Sequence, residues 1–208
     1  MGLAYNPDMY AKEDIPTSFK DFAYDTNAKG MISMSNPLTS GTAMATIVGL
    51  QSKYGDEYFD ALGKQDVMIE SGSSALAKLE TGECKVIMIL EESVLKKREE
   101  EGSTLVWFIP DDGDVLVPST VMTVAEDKSA NKNTKACEAI TDWLLSEEGQ
   151  SYVVKGWMHS VLTDFPTEPY DGASTPELKE KNIPVDWEKC YKERDTIRTM
   201  FQEKVTIN

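Results

Sequence analysis

Three times along this chain a short apolar run of strand length gives way, across a few small or acidic residues, to a helical period. Lys29–Met34 runs into Asn36-Pro37 and Ser40-Gly41-Thr42, then a helical segment from Ala43 to Tyr54. Val67–Ile69 runs into Ser71-Gly72-Ser73-Ser74, then a short helix from Ala75 to Glu80 closed by Gly82. Lys85–Leu90 is the clearest buried strand, followed by Glu91-Glu92 and a charged helix ended by Gly102. Strands that alternate with helices imply an α/β fold on a mostly parallel or mixed sheet. In such folds ligands bind beyond the carboxyl ends of the strands. The Gly/Ser turns fall at that place.

The rest of the chain fits around this frame. Tyr5–Asp25 reads as irregular, with a short helix carrying Phe19, Phe22 and Ala23. A helix follows from Glu57 to Leu62. Thr104–Ile109 reads as a strand, closed by the turn Pro110-Asp111-Asp112-Gly113-Asp114. Val115–Val124 reads as extended chain interrupted by Pro118. The best helix spans Asn133–Leu145, with Ala136, Cys137, Ile140, Trp143 and Leu144 on one apolar face, and helical character continues over Glu147–Lys155. Phe165–Pro184 is poor in apolar residues. A last helix is expected from Trp187 to Gln202, with Trp187, Tyr191, Ile197 and Phe201 near helical spacing.

Charge and residue supply exclude several functions. The formal net charge is −15, and the only arginines are Arg98, Arg194 and Arg198. That leaves no positive footprint for a nucleic acid. With His159 as the single histidine, a His-rich metal cluster cannot form. Cys84, Cys137 and Cys190 include no C-x-x-C pair and read as buried or half-buried thiols. No catalytic or cofactor motif is present, so an enzyme on the same fold would lack an identifiable acid/base or metal set. The most apolar run, Val86–Leu90, is far below the roughly 18 residues of a membrane helix. Met1-Gly2-Leu3-Ala4 does not read as a signal peptide. Met1-Gly2 reads as a leftover of expression.

The candidate site residues carry two readings each. Ser40 or Thr42 would cap a helix whose first N–H groups are free donors, and Gly41 would let an anion approach the backbone. The same residues also serve as a plain helix cap. Ser73 and Ser74 offer hydroxyls at the second turn, under the same two readings. Glu91 follows the buried strand, where a carboxylate can grip a sugar hydroxyl or a cation, or simply favour a helix start.

Taken together, several stretches resemble the solute-binding proteins of bacterial ABC importers, in the branch of ferric-ion, phosphonate and sugar-phosphate binders. Ile15-Pro16-Thr17-Ser18-Phe19 is similar to that family's P-T-S/T-W segment. Gly30-Met31-Ile32, Asn36-Pro37 and Ser40-Gly41-Thr42 are similar to its strand and Gly/Ser turn. Leu79-Glu80-Thr81-Gly82-Glu83 resembles V-x-x-G-E, and Pro110-Asp111-Asp112-Gly113 resembles P-x-x-G. Ala139 to Gln150 resembles the helix pair A-x-x-F-I-D-F-L-L-S-x-E-G-Q. The likeness covers about residues 4–165.

The resemblance implies a type II periplasmic-binding-protein-like lobe, a mixed sheet flanked by helices, with a partial second lobe. It implies that residues 5–112 form the second lobe and that 113–165 make the hinge crossing and a segment of the first lobe. Residues 166–208 would be a tail packing back on the second lobe. It implies no catalysis and no cofactor. The expected ligand is a small anionic solute, a sugar phosphate or phosphonate, held by Ser40, Gly41, Thr42, Ser73, Ser74 and Glu91. The alternative is ferric ion, although Ile87–Val94 carries no tyrosine where the ferric branch places two, and no metal site is expected. The implied partners are a membrane permease and the missing first lobe. The implied location is the periplasm or a lipid anchor outside the inner membrane, the export signal being absent from this sequence. The apolar face from Ala136 to Leu144 must be buried against something, which leads to an expected homodimer.

Overall fold

Alternating apolar and polar positions resolve into a sheet with a helical layer on each face. The computed structural model describes residues 1–205. In chain order the regular elements begin with β1 (Gly2–Tyr5), α1 (Phe19–Tyr24), β2 (Ile32–Ser35), α2 (Gly41–Tyr54) and α3 (Glu57–Leu62). Next come β3 (Met68–Glu70), α4 (Gly72–Thr81), β4 (Val86–Ile89), α5 (Glu91–Glu101) and β5 (Val106–Phe108). The last are α6 (Thr134–Leu144), α7 (Glu147–Lys155), α8 (Thr175–Lys181), α9 (Trp187–Lys192) and α10 (Arg194–Lys204). The chain divides into two units, one of Met1–Val117 with the chain from Pro176 onward, the other of Pro118–Thr175.

The first unit holds the five-stranded sheet, in the order β3-β2-β4-β1-β5. β2 pairs in parallel with β3 and with β4, and β1 runs antiparallel to β4 and β5. The sheet is therefore mixed. Successive side chains point to opposite faces. On β2 and β4, Ile32, Met34, Val86 and Met88 face one way, into a core with Phe19, Phe22, Met44, Ile47, Phe59 and Phe201. Ile87 and Ile89 face the other way, with Ala75, Leu79 and Val94 of α4 and α5. Thus α1, α2, α3 and α10 cover one face, and α4 and α5 the other.

β1 falls where no regular element was expected. Leu3 and Ala4 are fully buried on opposite faces of the sheet. Gly2 belongs to this strand because Trp107 lies over it: a Cβ there would come within 2.4 Å of the indole ring. Met1 is also part of the core, and its α-amine donates to the Val115 carbonyl at 2.8 Å. Met1 and Gly2 are therefore part of the packed sheet and its core. Four residues that include Gly and Ala carry neither length nor β-propensity, so their pairing is decided by tertiary context.

The helix starts follow from capping chemistry. Ser18 caps α1 by accepting from Asp21 N at 2.9 Å. Asp112, 93 residues on from Phe19, accepts from Phe19 N at 2.9 Å and Lys20 N at 2.8 Å, so the remaining first-turn donors of α1 are satisfied too. Tyr54 also donates to Asp112, at 2.5 Å, and burial, with this partner second, pushes its phenol well up. The same turn needs Gly113, whose φ is +108° and whose Cβ would meet the Lys181 carbonyl at 2.3 Å.

Two expectations are corrected in the last segment and in the second unit. The expected single helix Trp187–Gln202 is two helices, α9 and α10, broken at Glu193 with φ −105° and ψ 13°. The break lets Ile197 and Phe201 enter the core while Trp187 and Tyr191 stay exposed. Residues 206–208 of the expected tail lie outside the described residues. In the second unit, α6 keeps its amphipathic pattern, but none of its residues is buried. Cys137 on that face is exposed, not half-buried, while Cys84 is buried and its thiol is pushed up to about 12 by that burial. Within this unit Ser146 caps α7, accepting from Gly149 N at 3.2 Å, and Gln150 holds Leu144 O, Ser160 and Val161 N. His159 Nδ1 sits 2.7 Å from the Thr175 hydroxyl, which also bonds Glu168.

Candidate functional site

Because β2, β3 and β4 run parallel, the helices that follow them all begin at one edge of the sheet. α2 follows β2 after the loop 36–40, α4 follows β3 after Ser71, and α5 follows β4 after Leu90. α2 turns to one face of the sheet while α4 and α5 turn to the other. Between strands whose connections part in this way lies a crevice, the usual ligand position in open α/β sheets.

Each helix start is built from its own sequence. Asn36 closes the loop before α2: its side chain accepts from Leu38 N at 2.9 Å, and its carbonyl accepts from Thr39 N and Ser40 N. Ser40 then caps α2, accepting from Ala43 N at 3.2 Å, with the Thr42 hydroxyl 3.0 Å from its own. Gly41 is exposed and has open space where a Cβ would stand. At α4, Ser71 accepts from Ser74 N at 3.2 Å, and its hydroxyl lies 3.0 Å from that of Ser73 and 2.9 Å from that of Ser74. Ser73 and Ser74 are exposed. Both starts thus combine a serine cap, further hydroxyls and a small residue, which is the chemistry of an anion site.

The two starts are neighbours. Ser35 and Glu70, the last residues of β2 and β3, are register partners, and Asn36 N donates to Glu70 O at 3.1 Å. A Cβ on Gly72 would sit 3.7 Å from the Ser35 hydroxyl. Ser35 therefore lies at the mouth between β2 and α4, and the sequence reading missed it. Its signal was a polar residue two after Ser33 on a strand that faces Ile87 and Ala75, and that signal is weak. The Glu70 carboxylate is held by Ser33 at 2.8 Å and by Lys78 at 3.1 Å.

Glu91 differs from the other candidates. It is 8% exposed, in the first turn of α5, whose N-cap Leu90 offers no side-chain cap. Glu91 and Glu92 provide their own negative charge to that helix start. The buried α-amine of Met1 lies within the field of both and of Asp114, while burial lowers its affinity for a proton. Burial also holds the Glu92 carboxyl above the ordinary range. Ser40, Gly41, Thr42, Ser73 and Ser74 thus share two adjacent helix starts, and Glu91 stands at a third that is already acidic. No group of three or more His, Cys, Asp or Glu side chains suited to a metal occurs among the described residues.

A family model described as bacterial extracellular solute-binding protein matches residues 1–193. A search of curated proteins found no match. Among solved structures, the periplasmic binding protein AfuA from Actinobacillus pleuropneumoniae, with exogenous fructose-6-phosphate bound, is 23% identical with a TM-score of 0.77. Iron-bound HitA from Pseudomonas aeruginosa is 18% identical with a TM-score of 0.73. The ferric binding protein from Campylobacter jejuni is 16% identical with a TM-score of 0.65. These alignments take in 100%, 99% and 97% of this chain, and the chain spans 66% of the length of each of the three. At such identities the likeness establishes the fold.

Proposed function

The chain belongs to the bacterial extracellular solute-binding proteins, and we propose from that premise that it captures a small anionic solute for an ABC importer. Its fold is a type II periplasmic-binding-protein lobe with a partial second lobe. The family and fold are those of non-catalytic transport proteins that work outside the cytoplasm. The proposed solute carries a phosphate or phosphonate group, on a sugar or similar skeleton. The proposed partners are the importer's membrane permease and the further residues that make up a full-length relative.

The observation that carries this reading is the pair of serine-capped helix starts on adjacent, paired strands, with Ser35 between them. Free first-turn N–H groups and clustered hydroxyls suit a tetrahedral oxyanion, and the helix dipoles favour its charge. The bound sugar phosphate of the similar AfuA structure supports the same class. Calorimetric titration of the chain with inorganic phosphate and with fructose-6-phosphate tests it. Saturable heat with either ligand is expected, and its absence with both removes the reading.

Ferric ion is the second reading, favoured by the likeness to iron-bound HitA and to the Campylobacter ferric binding protein. Against it, the segment after the Gly82-Glu83 turn carries Glu91-Glu92 in place of phenols. A visible absorption band on adding ferric citrate would establish iron binding through phenolate ligands, and its absence would remove this reading.

A further inference from the structure

We infer that Arg198 is the positioning residue of this anion site and supplies its standing positive charge; the inference rests on the anion reading above. The site needs such a group. The chain carries −15 overall, and Glu70, Glu91 and Glu92 stand at the ends of the same strands or the helix starts beyond them. Hydroxyls and helix dipoles act against that background.

Two cations reach this region from different directions. Lys78, in the body of α4, is committed: it lies 3.1 Å from the Glu70 carboxylate, and that partner raises its affinity for its proton. Arg198 is committed to no carboxylate in the same way. Its ion-pair partner among the described residues is Asp195, at 3.7 Å and 83% exposed on its side chain, where solvent screens the pair. Its Nε is buried and has no acceptor among the described residues. A guanidinium stays charged at every working pH.

Arg198 also touches the loop that shapes the site. Its Nη2 donates to the Leu38 carbonyl at 3.0 Å, across 160 residues of sequence. The loop's own N–H groups at Leu38, Thr39 and Ser40 turn inward to Asn36. The Leu38 carbonyl is left to an outside donor, and Arg198 is that donor. The guanidinium arrives on a rigid element, because Ile197 and Phe201 of α10 are fully buried and Lys204 pairs with Asp60 at 2.7 Å. Fixing Leu38 fixes the approach to Ser40, two residues on, and so the direction of the first N–H groups of α2.

The test compares Arg198→Met, Arg198→Lys and the wild-type chain in phosphate calorimetry, at about 50 and 500 mM salt, where the screening length falls from roughly 14 to 4 Å. We expect Arg198→Met to weaken inorganic phosphate about tenfold, equivalent to about 1.4 kcal/mol. Its affinity should depend less on salt than that of the wild type. Arg198→Lys keeps the charge and should stay within about threefold of wild type. Equal phosphate affinity in Arg198→Met and wild type overturns the inference and leaves the anion reading standing. A loss that Arg198→Lys does not rescue, with an unchanged salt dependence, shows a mere prop for the loop and also overturns it. A wild-type chain that binds no phosphate removes the inference together with the reading on which it rests.

Discussion

Phe201 and Trp143 sit on helices of similar apolar spacing, in different units. Phe201 is fully buried and meets Phe59 edge to face, with ring centroids 6.0 Å apart. Trp143 is 41% exposed, beside Ile140 at 58%, and its ring partner Tyr152 is itself exposed. The first unit buries a cluster of apolar side chains on each face of its sheet, whereas Val154 is the one buried apolar side chain of the second unit among the described residues. Periodicity marks a face in both units. Only a sheet or a neighbouring helix decides whether that face is covered.

The sharpest way to break this comparison is a pair of truncations. Phe201→Ala removes a fully packed ring and is expected to cost about 3–5 kcal/mol in urea unfolding. Ile140→Ala, on the open face of α6, is expected to change stability by no more than about 0.5 kcal/mol. A comparable cost for both would mean that the α6 face is covered in solution. Light scattering at micromolar chain concentration would then show whether a second copy covers it.

Gly113→Ala comes next. It forces a side chain into the left-handed region and against the Lys181 carbonyl, so a loss of about 2–3 kcal/mol is expected in the same unfolding experiment. A neutral result would mean that the Pro110–Gly113 turn relaxes easily and does not fasten the segment that leaves the first unit.

The caps should matter less for folding and more for binding. Ser40→Ala and Ser71→Ala are each expected to cost about 1 kcal/mol of stability. Phosphate titration should weaken in both. A loss confined to stability would return these serines to plain capping.

The smallest expected effect is electrostatic. Burial raises the Glu92 pKa in the folded chain, so the folded state holds this proton more tightly than the unfolded one. Stability associated with Glu92 is therefore greatest below its unfolded pKa and falls as pH rises through the raised value. Glu92→Gln removes that loss. A gain of no more than about 0.5 kcal/mol at pH 7, vanishing below the ordinary carboxylate range, is expected in thermal melts at the two pH values. A gain of equal size at acid pH would assign the effect to packing.

The α/β class and the Ser40 cap were legible because each depends on residues close in sequence. Ser40 stands just before a helical period, and a cap needs only its own next three residues; at the second turn the cap is Ser71, ahead of the Ser73 and Ser74 that the sequence singled out. β1 was illegible because Gly2 and Ala4 prefer no strand alone; Trp107 and Ile89 make one of them. The break at Glu193 was hidden because Trp187, Tyr191, Ile197 and Phe201 fit one spacing nearly as well as two. The places of Ser35 and Arg198 were hidden for the same reason: a strand-end serine and a helical arginine come beside the helix starts only when Gly72 and Leu38 are brought to them.

The interrupted makeup of the first unit also has a consequence for the order in which it can form. Its sheet needs β1 to meet β4 and β5, more than eighty residues downstream, and its core needs Ile197, Phe201 and Val205. During synthesis β1 must therefore wait for the downstream elements, including all of Pro118–Thr175, before this core can close. Such distant pairings make folding slow, and they keep strand edges open while the ribosome works. The net charge of −15 acts in the same interval, because like charge on the copies opposes their association while those edges are open.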